Sequence, residues 1–326
     1  MRQIAALLLL GSLCLSAFAF DLQGHRGARS LAPENTLAGF ALTLGIGVTS
    51  LELDIAISSD GELVISHDPT LNPDITRGPD GVFLNARGPT IALTPYAELL
   101  RYDVGRLKPG TRYASQYPEQ KPLDGARIPK LDELFALVRK SGNTQVRFAI
   151  ETKVSPLTPE LTIAPELFVR RVIKSIRDAG MASRSSILSF DWRALQVVQK
   201  EAPEIATVYL SAQQSWLDNI GVKDGGRSSP WTAGFQHAEH GSVPKMIKAA
   251  GGRIWSVHWA DLDAAKLAEA KALGLTVLTW TVNNPVQIAR MLDMGVDGII
   301  SDHPELVRVE MKKRGMPLPA ATPVTP

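Results

Sequence analysis

Nine short apolar runs, at 22–25, 51–57, 63–67, 146–151, 186–190, 205–210, 253–257, 276–282 and 298–301, constrain the fold of this chain more than any other feature. Between them lie amphipathic stretches of helical character at 36–44, 131–139, 165–179, 192–201, 261–273 and 285–294, several closed by glycine. Alternation of this kind predicts a parallel sheet covered by helices. From Val146 onward the spacing suits a (β/α)8 TIM barrel, an α/β fold whose chemistry sits on the loops after the carboxyl ends of the strands. Nine runs are one more than such a barrel holds. The link 58–61 is too short for a parallel crossover, so one arm of the 51–67 hairpin is expected to be an antiparallel addition at the barrel mouth. The rival architecture, a doubly wound open sheet, has no glycine-rich phosphate fingerprint to support it.

Two segments break the rhythm. Residues 69–130, with Pro69, Pro73, Pro79, Pro89, Pro95, Pro109, Pro118, Pro122 and Pro129, read as an insertion after His67-Asp68 that packs on the barrel. Residues 211–243 are long and irregular and carry Trp216, Trp231, Phe235, His237 and His240, as a lid or binding loop would. The proline-rich end, 316–326, is expected to be disordered, which bounds the main domain at 20–315.

The first nineteen residues read as a cleavable leader: Arg2 is a basic start, 4–15 an apolar run, and Ala17-Phe18-Ala19 a small-x-small cleavage site. The run is too short to span a bilayer, which takes about 20 residues. The expectation is a periplasmic or secreted protein cut after Ala19. Cys14, the only cysteine, falls inside the leader, and Leu13 before it is too bulky for a lipoprotein site, so no lipid anchor is expected. The exported chain then has no disulfide, zinc-thiolate site or cysteine nucleophile. Loss of Arg2 leaves 34 Lys+Arg (35 less one) against 33 Asp+Glu, a balance that excludes a nucleic-acid partner recognised by charge.

The hairpin holds the densest chemistry. Asp60-Gly61 is a favoured two-residue turn, and a turn centred there pairs Asp54 with His67, or Glu52 with His67 after a one-residue shift. Either register puts Glu52, Asp54 and His67 on one face, with neighbouring Cβ atoms roughly 5–8 Å apart. Adjacent buried carboxylates call for a cation, and hard divalent metals take oxygen ligands. The run 146–151 brings Glu151, with Lys153 on the same face. At the end of the first run His25 is suited to proton transfer and Arg26 to gripping a phosphate, while Glu34 and Asn35 are expected to fix the loop and cap the helix.

Taken in order and spacing, His25-Arg26-Gly27, Pro33-Glu34-Asn35-Thr36, Glu52-Leu53-Asp54, His67-Asp68, Glu151-Thr152-Lys153, Trp280-Thr281-Val282-Asn283 and Gly298-Ile299-Ile300-Ser301-Asp302 resemble the glycerophosphodiester phosphodiesterases over nearly the whole chain after the leader. The resemblance implies a TIM barrel, hydrolysis of glycerophosphodiesters to sn-glycerol 3-phosphate and an alcohol, and a divalent cation, Ca2+ before Mg2+. It implies Glu52, Asp54 and Glu151 as metal ligands and His25 and His67 as general acid and base. Arg26 and Lys153 would contact the phosphate, and Trp280 would line the glycerol pocket. The alcohol is expected to project past the loop from Ser211 to Val243 into solvent. Ser301-Asp302 is a mild departure from the family's usual ending, and it puts none of this chemistry in doubt. Two rivals remain open at this point: a related phospholipase with an apolar rim for acyl chains, and a non-catalytic glycerophosphodiester-binding protein. His258 is read as a strand-end pocket or packing residue and His303 as a turn residue.

Overall fold

The computed structural model describes residues 20–326; the leader expected over 1–19 lies outside them. Nine strands run in chain order as β1 (Asp21–Gly24), β2 (Ser50–Ile57), β3 (Leu63–Ile65), β4 (Arg147–Thr152), β5 (Ser185–Ser189), β6 (Ala206–Ser211), β7 (Ile254–His258), β8 (Thr276–Trp280) and β9 (Gly298–Ser301). Their spatial order is β1-β9-β8-β7-β6-β5-β4-β2-β3, and pairing of β1 with β2 closes eight parallel strands into a barrel. β3 is the antiparallel ninth, hydrogen-bonded to β2 outside that ring. The chain therefore forms a (β/α)8 TIM barrel.

Period-two alternation sorts each strand between two environments. Along β2, Leu51, Leu53 and Ile55 are fully buried in the layer shared with the helices. Glu52 and Asp54 alternate with them and point to the barrel interior, as do Ala149, Leu188, Val208, Leu210 and Leu278 on the other strands. Helices bury their apolar stripes in return. In Leu131–Lys140 the buried positions are Leu131, Leu134, Phe135, Leu137 and Val138, the 3–4 spacing of one helix face. Five helices go beyond the sequence pattern: the short Tyr96–Leu99, Arg112–Gln116 and His237–His240, and the longer Val243–Ala249 and Pro304–Lys313, the last two each with proline in the first turn, where a missing N–H costs nothing. His303, read as a turn residue, precedes the last of these at its N-cap position.

The hairpin register differs from both expectations. Ile55 pairs with Ile65 and Ile57 with Leu63, which sets Ser66 opposite Asp54, and the Ser66 N–H donates to the Asp54 carbonyl at 3.0 Å. The connection is a looped Ser58–Glu62 segment rather than a two-residue turn: Ser58 N–H donates to the Glu62 carbonyl, and Ser58 Oγ accepts from the Glu62 N–H. β3 ends at Ile65, so His67 reaches the mouth from the loop beyond the strand.

Residues 69–130 pack on the barrel through a small apolar cluster in which Leu71, Ile91, Leu99, Val104 and Ile128 surround Ala56 and Val64 of the hairpin. The 316–326 end is a correction. It has no helix or strand, as its prolines dictate, yet it lies against the barrel: Thr322 N–H donates to Leu44, Arg308 Nη1 donates to the Pro319 carbonyl, and Met316 and Val324 pack on the main core. Anchored backbone groups and buried side chains offset the ordering entropy that composition alone would leave uncompensated. Among the described residues no helix is long and apolar enough to cross a membrane.

Candidate active site

Strand register assembles the site. Asp54 of β2 lies level with Glu151 of β4, and Glu52 with Ala149, so the three carboxylates stack on the inner wall of two neighbouring strands. One oxygen from each falls within 4.8 Å of the others, and all three residues are buried. Such crowding has an electrostatic cost. Burial, Asp54 and Glu151 together push Glu52 well above the usual carboxylate range. Asp54 goes the other way: burial opposes its charge, but Arg26 outweighs it and holds the carboxylate ionised. Lys153 Nζ lies 2.6 Å from Glu151 Oε1 and 3.5 Å from Asp54 Oδ1. Even so, among the described residues Glu52 Oε1 and Asp54 Oδ1 are buried without a hydrogen-bond donor.

Immediately after β1 the backbone turns through two left-handed residues, Arg26 (φ 52°) and Gly27 (φ 84°). This aims the Arg26 N–H at Glu52 Oε2, 2.8 Å away, and sends the guanidinium to Glu34 Oε1 at 3.0 Å and to Asp54 Oδ2 at 3.2 Å. Glu34 also accepts from the Tyr113 hydroxyl, which ties the 69–130 segment to the site. Asn35 Nδ2 donates to Asp54 Oδ2 at 2.9 Å, while Thr36 Oγ1 caps the following helix by accepting from Gly39 N–H. Loop fixing by Glu34 and Asn35 is thus as expected, and the cap belongs to Thr36. A Cβ on Gly27 would meet the Gly39 carbonyl carbon at 3.0 Å in a backbone region that L-residues avoid. Gly27→Ala is therefore expected to lower unfolding stability by about 1–3 kcal/mol in a denaturant melt; an unchanged midpoint and slope would contradict this reading of the turn.

His25 follows β1 and Asp302 follows β9, and the β1–β9 register sets them side by side. His25 Nδ1 lies 2.6 Å from Asp302 Oδ1, and the same oxygen accepts from Arg29 Nε at 2.6 Å. Asn283 Nδ2 donates to the other Asp302 oxygen at 2.6 Å, and Asn283 Oδ1 accepts the Asp302 N–H at 2.9 Å. With Nδ1 engaged, His25 turns Nε2 inward, 3.8 Å from Glu52 Oε2. Burial, with Arg29 beside it, lowers its pKa to about 4, so the ring is neutral at pH 7. His67 is more exposed; its Nδ1 lies 2.8 Å from Asp68 Oδ1. The Asp68 carboxyl is lowered to about 2: burial opposes its charge, and the contact with His67 outweighs it.

Of the eight residues picked from the sequence, His25, Arg26, Glu52, His67, Glu151, Lys153 and Trp280 line one cavity of about 710 Å3, and Asp54 joins them through its carboxylate, an oxygen of which lies within 4.8 Å of those of Glu52 and Glu151. Sequence reasoning missed Asp302 and Arg29, the pair behind His25. The loop after β6 supplies Trp216, Leu217 and Trp231 to the cavity wall. His258 stands in that wall, its ring centroid 5.3 Å from that of Trp280.

A TIM barrel with buried carboxylates, two histidines and guanidinium groups around a ligand-sized mouth cavity defines a phosphodiesterase-type hydrolase. Residues 25–306 match the glycerophosphoryl diester phosphodiesterase family, and the chain belongs to that family. A solved structure from Silicibacter pomeroyi DSS-3 that carries the same family name is 35% identical, with a TM-score of 0.81 over 92% of this chain and 95% of that one. The glycerophosphodiester phosphodiesterase of Caldanaerobacter subterraneus subsp. tengcongensis is 26% identical over 89% of this chain and 97% of its own length. An Oleispira antarctica phosphodiesterase, solved with its product sn-glycerol-3-phosphate, shares the fold at 23% identity and a TM-score of 0.64, over 90% of this chain and 98% of its own. Membership of an enzyme family removes the non-catalytic binding protein from consideration.

Proposed function

We propose that this enzyme hydrolyses glycerophosphodiesters to sn-glycerol 3-phosphate and an alcohol, using a divalent cation held by Glu52, Asp54 and Glu151 and proton transfer by His25 and His67. The observation that carries the reading is a cluster of three buried carboxylates, two of which line one cavity together with His25 and His67. The donor set fits a hard cation. Its oxygens lie within 4.8 Å of one another, the spread spanned by an ion with oxygen contacts of about 2.3–2.6 Å, and among the described residues two buried oxygens have no hydrogen-bond donor. An all-carboxylate set favours calcium, with magnesium second. When bound, the cation polarises the phosphoryl oxygens and neutralises charge that develops on them.

The protein's own groups supply the rest. Asp302 holds the proton on His25 Nδ1 and leaves the Nε2 lone pair facing the cavity, so His25 takes the proton of the attacking oxygen. His67, the more exposed of the two, gives a proton to the departing alcohol oxygen as its bond to phosphorus breaks. Arg26 and Lys153, both held charged beside carboxylates, offset the diester's negative charge. Trp280, whose Nε1 donates to the Ser256 carbonyl at 3.1 Å, presents an apolar ring to the glycerol carbons. Residues 1–19 support export, so the working compartment in this reading is the periplasm or the exterior.

Asp302→Asn should lower kcat about 10- to 100-fold with KM little changed, because it loosens the tautomer of His25 without touching substrate. Steady-state kinetics on glycerophosphocholine checks this; a change confined to KM would remove Asp302 from the proton path. For the overall function, the deciding experiment is direct identification of the products released from glycerophosphocholine.

A further inference from the structure

Residues 111–121 of the insertion lean on the loop that follows β1. Tyr113, Gln116 and Tyr117 are spaced to share one face of the short helix Arg112–Gln116 and its C-cap. Gln116 lines the cavity, and the contacts on either side of it reach the loop behind. The Arg29 guanidinium carbon lies 4.8 Å from the centre of the Tyr117 ring, and Tyr117 packs edge-on to Tyr113 at 5.2 Å. Gln120 Nε2 donates to the Arg29 carbonyl at 2.6 Å, and the Lys121 N–H donates to the Leu31 carbonyl at 3.0 Å. The Tyr113 hydroxyl completes the set: it donates to Glu34 Oε2 and accepts from Arg29 Nη1 at 3.2 Å.

That one oxygen joins two branches of the site. On the first, Arg29 holds both carboxylate oxygens of Asp302, through Nε at 2.6 Å and Nη2 at 3.3 Å, and Asp302 orients His25. On the second, Glu34 holds Arg26, and Arg26 holds Asp54. Each of the three Arg29 guanidinium nitrogens thus has an acceptor within the protein, so Arg29 braces the site although it also lines the cavity. Burial and the charge of Glu34 push the Tyr113 phenol well above its usual range, and the hydroxyl keeps its proton.

We infer that Tyr113 is a positioning residue for the hydrolysis: its hydroxyl fixes Arg29 and Glu34 together and, through Arg29 and Asp302, sets the aim of His25. The inference rests on the diesterase reading above. Without the hydroxyl, Glu34 Oε2 loses a donor and Arg29 Nη1 loses its acceptor, and the two, 4.0 Å apart, attract each other directly. Closing that gap draws the guanidinium away from Asp302. Asp302 then keeps Asn283 but loses its brace on the other side, and the His25 ring is free to swing. The insertion thereby has a task in turnover beyond its packing on the barrel.

Tyr113→Phe tests this, because it keeps the ring against Tyr117 and removes one oxygen. With calcium-loaded enzyme and glycerophosphocholine, kcat should fall about tenfold, the low end for a group that acts through others, and KM should change by less than about threefold. The decisive readout is the cycle with Asp302→Asn. Both substitutions free the same ring, so the double variant should turn over within about twofold of Asp302→Asn alone, well short of the product of the two single effects. A normal kcat in Tyr113→Phe, a change confined to KM, or effects that multiply in the double variant would each overturn the inference and leave the diesterase reading standing. So would a loss of activity that matches a loss of folded protein in a thermal melt, which would make the hydroxyl a structural group only. No choline release by the wild-type enzyme would overturn the diesterase reading and the inference together.

Discussion

Chelation of divalent metal should abolish hydrolysis of glycerophosphodiesters, and calcium should restore it, with magnesium less effective. The expectation follows from electrostatics. Three buried carboxylates within hydrogen-bonding range of a common point repel one another, and Glu52 responds by resisting ionisation. Lys153 and Arg26 neutralise Asp54 and Glu151 in part but leave Glu52 Oε1 and Asp54 Oδ1 without hydrogen-bond donors among the described residues. A buried polar atom left unpaired costs about 1–3 kcal/mol, more when charged, and a cation removes the cost at both. Turnover measured after exhaustive dialysis against chelator, then with each metal added back, checks the point. Full activity in chelator would detach the carboxylate cluster from the chemistry.

Replacing either His25 or His67 by alanine should lower kcat by about 100- to 10,000-fold, with substrate affinity much less changed. His25 is the better defined of the two. Its ring is locked by Asp302, itself held by Arg29 and Asn283, so the direction of its free nitrogen is fixed by contacts from three separate loops. His67 has one lock, Asp68, which in turn accepts from Asn72 Nδ2 at 2.8 Å. Pre-steady-state and steady-state rates for both variants on glycerophosphocholine decide the matter. A near-normal kcat in either variant would take that histidine out of the mechanism.

The carboxylate cluster was legible because period-two alternation is local: Glu52 and Asp54 share a face of β2 whatever lies around them, and Glu151 stands near the end of the adjacent barrel strand. The antiparallel ninth strand was legible for a similar reason, since the link before β3 is too short for a crossover. The hairpin register was not. Asp60-Gly61 has the composition of a tight turn, but Ser58 engages both Glu62 and Asp60, and these side-chain contacts widen the loop. His67 consequently joins the site from beyond the strand end.

The Asp302–Arg29–His25 cluster was invisible for a deeper reason. Asp302 and His25 are separated by 277 residues, and only closure of β9 onto β1 makes them neighbours. No local pattern marks such a pair. The terminal segment misled in the opposite sense: its prolines forbid helix and strand, but composition says nothing about whether Thr322 finds Leu44 or Val324 finds the core. The aromatic wall of the cavity was half visible. Trp216 and Trp231 stood out in an irregular stretch, while their convergence on Trp280 depends on how the loop after β6 folds back over the mouth.

The central claim is that this site cleaves the bond between phosphorus and the head-group alcohol of a glycerophosphodiester. The most direct measurement is product identification by mass spectrometry after hydrolysis of glycerophosphocholine by the calcium-loaded enzyme in 18O-labelled water. The account predicts sn-glycerol 3-phosphate and choline in equal amounts, with the label in the phosphate. Release of glycerol and phosphocholine, or no release of either pair, would contradict it.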